Sequence, residues 1–228
     1  MSHGHSHTAI LVFALSPSAE TERKPMREGK SLFREMTRHT LFQVRKTGLP
    51  YFHYPERLQE GNSFGERFSN AIAALFEQGY SNVITIGNDC PQLHTHHLLE
   101  AARSLEKGKT IIAPSFDGGF NLLGLTKTSF STDRFQQLPW QSSQLFTHTL
   151  YYFKELGCVP HLMEALSDID SMSDVALLTK GAKWLGKTLL ALLRTMVQGQ
   201  TKQWVYNELS PIAIHGHIPP NKGSPLKA

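Results

Sequence analysis

Along the chain, apolar stretches of strand length alternate with longer amphipathic ones. TAILVFAL at residues 8–15 is apolar almost throughout and carries β-branched residues. It predicts a buried strand of a parallel sheet. SPSAETERKP then reads as a loop. Residues 27–47 predict a helix, with Leu32, Phe33, Met36, Leu41 and Val44 roughly on one face and Gly48 and Pro50 ending it. PYFHYP is a short second strand. Residues 63–79 give the clearest helix: Ser63 and Glu66 have capping-box spacing, Phe64, Phe68, Ile72, Leu75 and Phe76 form a stripe, and Gly79 stops it. NVITIG predicts a third strand. Residues 95–108 predict a helix with Thr95 as N-cap and Gly108 as stop. TIIAPS and FNLLGL predict two more strands, residues 142–157 a helix, and VPHLME a short strand. Residues 167–181 hold a loop and a short helix.

This alternation predicts an α/β fold of three αβα layers around a mainly parallel central sheet. The pattern breaks after about residue 182, where one amphipathic helix precedes a Pro- and Gly-rich tail. The expected organisation is therefore a disordered start or tag remnant at 1–7, one domain over 8–181, and a helical extension with a tail over 182–228. A chain of 228 residues suits one such domain with a small addition.

Composition narrows the function classes. Hydrophobic residues make up 40% and charged residues 18%, which excludes a disordered chain. The net charge of +4 is not gathered into a Lys/Arg block, so no nucleic-acid partner is expected. No apolar run reaches the roughly 18 residues of a membrane span; LGKTLLALLRTM at 185–196 is short and carries Lys187 and Arg194. MSHGHSH lacks the apolar centre of a signal peptide. Cys90 and Cys158 lie far apart with no metal-ligand spacing, and a reduced, cytoplasmic setting is the simplest reading.

Ligands of open α/β sheets lie beyond the carboxyl ends of the strands. Two such ends carry an acid: Asp89 in IGNDCPQL and Asp117 in PSFDGGF. Asp168 and Asp170 of SDIDS follow the last short strand. Separated carboxylates at strand ends suit Mg²⁺ or Mn²⁺, hard ions that share their shell with phosphate and water. Each acid also has a structural alternative. Asp89 suits an Asx turn, Asp117 an Asp-Gly hairpin turn, and Asp168 a helix cap, though Ser171 or Ser173 could serve there. HTHH at 94–97 suits a solvated helix start better than zinc, because positions i and i+2 do not share a helix face. Cys90 as a nucleophile has no partner that the sequence places beside it.

Four ordered motifs carry a resemblance: NVITIGNDCPQL, IIAPSFDGGFNLLGL, LPWQSSQLFTHTL and LSDIDSMSDVALL. GNSFGERFSNAI adds a fifth segment. They resemble the glycosyltransferase-A-like family of unknown function grouped with the CofC (2-phospholactate guanylyltransferase) and MobA nucleotidyltransferases. The resemblance spans roughly residues 8–180 and implies a nucleotide-diphospho-sugar-transferase fold with a nucleotide and divalent-metal site. It implies Asp89 as a metal ligand and Asp117 as the catalytic group on the acceptor or sugar side. Gly118, Gly119 and Asp170 would be substrate-binding. The family's first loop, P-x-x-G-x-x-K-T-R-L, is here SPSAETERKPM. It has no Gly and gains Glu20 and Glu22; Arg23 and Lys24 remain to meet phosphate.

Two functions follow. One is a metal-dependent glycosyl- or nucleotidyltransferase acting on a nucleotide or nucleotide-sugar and an unknown acceptor. The other, motivated by the altered loop, is a degenerate protein that binds a ligand or partner without turnover. Neither the base, the sugar nor the oligomeric state is specified.

Overall fold

A computed structural model of the chain describes residues 7–180 and 185–209. The expected start at 1–7 lies outside these residues but for His7, and so do the tail from 210 and the expected domain boundary near 181.

Six strands form one sheet: β1 (Thr8–Phe13), β2 (Tyr51–Tyr54), β3 (Asn82–Ile86), β4 (Ile111–Pro114), β5 (Phe120–Thr126) and β6 (His161–Leu162), in the order β2-β1-β3-β5-β4-β6. β5 alone runs antiparallel, between β3 and β4. The remaining pairings are parallel, so the mainly parallel expectation holds. Every residue of β1 is buried because both sheet faces are covered. Its side chains alternate. Ile10 and Val12 face a cluster with Leu98, Ala101 and Leu105, whereas Ala9, Leu11 and Phe13 face one with Phe68, Ile72 and Leu75.

The helices supply the outer layers: α1 (Pro17–Arg23), α2 (Gly29–Arg45), α3 (Phe64–Glu77), α4 (Thr95–Glu106), α5 (Thr132–Gln136), α6 (Leu145–Glu155), α7 (Met172–Thr179) and α8 (Lys187–Leu209). α3 starts as its sequence predicts, with the Ser63 hydroxyl accepting from the Glu66 N–H at 3.1 Å. The Glu66 carboxylate accepts from the Asn62 N–H instead of that of Ser63.

Two local expectations are corrected. SPSAETERKP is mostly helix, not loop. Ser16 caps α1 by accepting from the Ala19 N–H, and Pro17 sits at the first turn, where a missing N–H costs nothing. The N-cap of α4 is His94, not Thr95. The Thr95 hydroxyl bonds Gln43 of α2, while the His94 N–H donates to Nδ1 of His97 at 3.0 Å. His97 is buried, so HTHH is not simply a solvated helix start. α5 was not signalled by any periodicity.

α7 and α8 close over α2. Leu32, Phe33 and Met36 of α2 meet Val175 and Leu178 of α7 and Leu189, Leu193 and Met196 of α8. Ile169, fully buried, joins the same cluster from the loop before α7. Leu193→Ala should therefore cost about 2–5 kcal/mol, the range for deleting a buried leucine. Urea unfolding reads it; a loss below about 0.5 kcal/mol would show that α8 is not part of the packed body.

Candidate functional site

The carboxyl ends of β1, β3, β4 and β6 share one edge of the sheet, and antiparallel β5 starts there. β4 and β5 are joined by a tight turn. The Ser115 N–H donates to the Gly119 carbonyl at 3.1 Å, and the Gly118 N–H to the Ser115 carbonyl at 3.3 Å. Inside it, Oδ1 of Asp117 accepts from the Gly119 N–H at 3.1 Å and from the Ser115 hydroxyl. The hairpin-turn reading of Asp117 thus describes its local role. Gly118 has φ 92°, and a Cβ there would run into the Ser143 backbone. Its freedom serves the turn and the approach of the 142–145 segment.

The loop between β6 and α7 is pinned to this edge. The Leu166 N–H donates to the Pro114 carbonyl at 3.0 Å, and the Ile169 N–H to the Asp89 carbonyl at 2.9 Å. The Ser167 N–H donates to the Gln92 side chain at 2.7 Å. Asp168 and Asp170, on either side of buried Ile169, are thereby brought beside Asp89 and Asp117. Asp168 does not cap α7; Ser171 does, accepting from the Asp174 N–H.

Lys24, at the end of α1, reaches the same place. Its ammonium lies 2.9 Å from Asp89 Oδ2, 2.5 Å from Asp170 Oδ1 and 3.3 Å from Glu20 Oε1. Its side chain is only 8% exposed. Burial works against its charge, but Asp89 and Asp170 outweigh that and hold it above its ordinary value. Burial likewise works against the Asp89 carboxylate, and Lys24 with Arg23 more than offsets it, keeping that carboxyl below the usual range. Asp168 has no such partner. Burial, then the charges of Asp89, Asp117 and Asp170, push it from 3.8 to about 8. Its Oδ1 is buried with no hydrogen-bond partner.

A cavity of about 280 Å³ opens on this edge. Its lining includes Glu20, Arg23, Asp89, Asp117 and Asp168. Phe13, Phe64, Phe68, Phe120 and Trp140, packed on one another, give it an aromatic wall, and Arg67 of α3 lines it as well. Trp140 is held by its Nε1–H, which donates to the Phe135 carbonyl at 2.7 Å, and packs on Phe68 with ring centroids 4.9 Å apart. It seats closely because residue 65 is glycine; a Cβ there would come within 2.6 Å of the indole.

Of the residues expected from sequence, Asp89, Asp117, Gly119 and Arg23 line the cavity. Lys24 and Asp170 join it through the ion pairs, and Gly118 turns toward Ser143. Asp89, expected to hold metal, faces Lys24. Among the described residues, the group whose ligand atoms lie within 4.8 Å of one another is Asp117, Asp168 and Asp170. The histidines of HTHH form no such group there. Cys90 is 5% exposed, and burial, with Asp168 and Asp89 nearby, pushes its thiol well above its ordinary value, which disfavours a nucleophilic thiolate. Glu20, Arg67, Trp140 and the central part of Asp168 were not anticipated. The GERF and LPWQSS segments were the available signal for two of them.

The strand order and helix layers are shared with a solved structure named for the nucleotide-diphospho-sugar transferases, the fold that the motifs implied. Residues 38–142 match the family model described as "Uncharacterized protein conserved in bacteria (DUF2064)". That span holds Asp89 and Asp117 and leaves out both α1 and the Asp168–Asp170 loop. A Desulfovibrio desulfuricans G20 protein whose name assigns it provisionally to the nucleotide-diphospho-sugar transferases superposes with a TM-score of 0.75 at 22% identity, covering 87% of this chain and 98% of that one. CMP:2-keto-3-deoxy-manno-octonic acid synthetase with CTP gives 0.40 at 12% identity, covering 75% and 96%. Rv0371c of Mycobacterium tuberculosis with manganese gives 0.38 at 14% identity, covering 77% and 99%. The CTP and manganese are properties of those proteins. Among curated proteins, no significant sequence match is found. Among the described residues, no helix is long and apolar enough to cross a membrane.

The Asp168 shift predicts a pH signature. Between its ordinary value of 3.8 and about 8, the folded chain keeps a proton that the unfolded chain has lost. Stability therefore falls as pH rises through that window. Asp168→Asn should melt like the native chain below about pH 4 and higher than it at pH 7–8, by roughly 2–4 °C per kcal/mol recovered. Equal melting temperatures from pH 4 to 9 would contradict a buried, raised carboxyl.

Proposed function

We propose that this protein is a divalent-metal-dependent transferase acting on a nucleotide-activated substrate, with Asp117, Asp168 and Asp170 as the Mg²⁺ or Mn²⁺ ligands. The supporting observation is the triad itself. Three carboxylates lie within 4.8 Å at the carboxyl edge of the sheet, and one has a buried oxygen with no partner. All-oxygen donors of this kind fit a hard cation. Such an ion, when bound, supplies positive charge to a departing phosphate or diphosphate.

The chain's own groups divide the remaining work. Lys24 pairs with both Asp89 and Asp170, so the acidic edge holds its shape before any ion arrives. Arg67 has no ion-pair partner among the described residues and lines the cavity, where it meets ligand phosphate. The aromatic wall accepts a planar or apolar part of the ligand. Asp117 has one oxygen, Oδ1, fixed by its own turn, which holds the carboxylate in place as a ligand. Glycosyl and nucleotidyl transfer use the same parts: in the first the acceptor attacks the sugar carbon and the nucleoside diphosphate leaves, in the second a phosphate acceptor attacks the α-phosphate and pyrophosphate leaves.

A second reading, ligand binding without turnover, draws on Glu20, which occupies Arg23 from within the chain. One experiment separates them. Mn²⁺ should raise the melting temperature of the native chain and not of Asp168→Asn or Asp170→Asn. Calorimetry with GTP, CTP, UTP and nucleotide sugars in Mn²⁺ should then show binding by at least one, with product formed from it. A folded protein that binds none of them refutes the transferase; binding with no product under any acceptor leaves the binder.

A further inference from the structure

Glu20 is out of place for a wall that meets phosphate. It lies one turn before the cations of α1, lines the cavity, and is only 3% exposed. Its Oε1 accepts from Arg23 at both Nε, 3.2 Å, and Nη2, 2.7 Å. The same oxygen lies 3.3 Å from the Lys24 ammonium. One carboxylate oxygen thus takes up the paired N–H edge of the guanidinium, the edge with which an arginine grips phosphate, and bridges to a lysine as well.

The charge balance of this corner is already negative. Arg23 and Lys24 face Glu20, Asp89 and Asp170. α1 is also fixed at its start, where the Ser16 N–H and hydroxyl each donate to the Glu56 carboxylate at 2.6 Å. Glu20 is therefore held on an anchored helix, not on a free strand of chain.

We propose that Glu20 is a specificity-determining residue: its carboxylate holds the place on Arg23 and Lys24 that a ligand phosphate or pyrophosphate group would take, so such a group reaches this corner only by displacing it. A phosphate entering unaccompanied meets the excess negative charge of this corner, whereas one entering with a divalent cation brings charge that offsets it. The inference rests on the proposed reading of the cavity as the seat of a phosphate-bearing ligand, and it adds the residue that sets how tightly such a ligand is taken.

The test is calorimetry of the full chain with inorganic pyrophosphate in EDTA. Glu20→Gln, close in shape and without the charge, should bind at least about tenfold more tightly than the native chain, a gain of about 1.4 kcal/mol. Glu20→Asp, shorter by a methylene, should gain less and covers the case in which the glutamine variant does not fold. Glu22→Gln makes the same charge change at an exposed position of the same helix and should stay within about twofold. Adding Arg23→Gln to Glu20→Gln should erase the gain. The proposal is overturned if folded Glu20→Gln and Glu20→Asp bind like the native chain, if Glu22→Gln gains equally, or if the gain survives loss of Arg23. Nucleotide binding with Mn²⁺ by the native chain, without a gain in Glu20→Gln, sinks this inference alone. A gain without any nucleotide binding sinks the transferase reading and keeps this one.

Discussion

The site depends on one nearly dry ammonium. Lys24 brings together the end of α1, the turn after β3 and the loop before α7, three segments with no covalent reason to meet. Burying a charge among carboxylates does little for net stability, because desolvation cancels most of the attraction. Losing one member is another matter, since the rest are then left uncompensated in a poor solvent. The cluster therefore acts as a geometric constraint: it fixes where the acids stand more than it adds to the free energy of folding. The apolar clusters on the two sheet faces supply that energy, and the ion pairs spend a little of it on position.

The same constraint explains why neighbouring aspartates behave so differently. Asp89 is stabilised as an anion by direct contact with Lys24, whereas Asp168 faces three carboxylates and has no donor for its buried oxygen. Asp117 owes one oxygen to its turn. Placement among the neighbours, not residue type, separates an acid that serves as an anchor from one left open to a ligand.

Much of this was legible in the sequence. The continuous apolar run of β1, the Ser63 cap of α3 and the acids at the ends of β3 and β4 all follow from local patterns. Asp89 and Asp117 were found because a strand end is itself a local feature. α1 was not, because Ser-Pro followed by acids has the composition of a loop, and only the hydroxyl bond of Ser16 and its tie to Glu56 reveal the helix. Two of Lys24's three partners, Asp89 and Asp170, lie far along the chain, beyond the reach of any window. The unusual character of Asp168 comes from burial and the sum of surrounding charges, which no spacing records. At Gly118 the close backbone of Ser143, which leaves no room for a Cβ, is likewise a contact that the motif does not announce.

Ile169 carries a wider implication. This fully buried side chain sits between Asp168 and Asp170 and is clamped in the cluster that α2, α7 and α8 build together. Hydrocarbon packing on one side of the loop thus aims two carboxylates on the other, as a tenon seats a bracket. Sequence drift in α8, far from the cavity, would be felt as a change in the angle between those acids before it was felt as a loss of fold. The packing of α8 thus reaches an electrostatic site by way of Ile169.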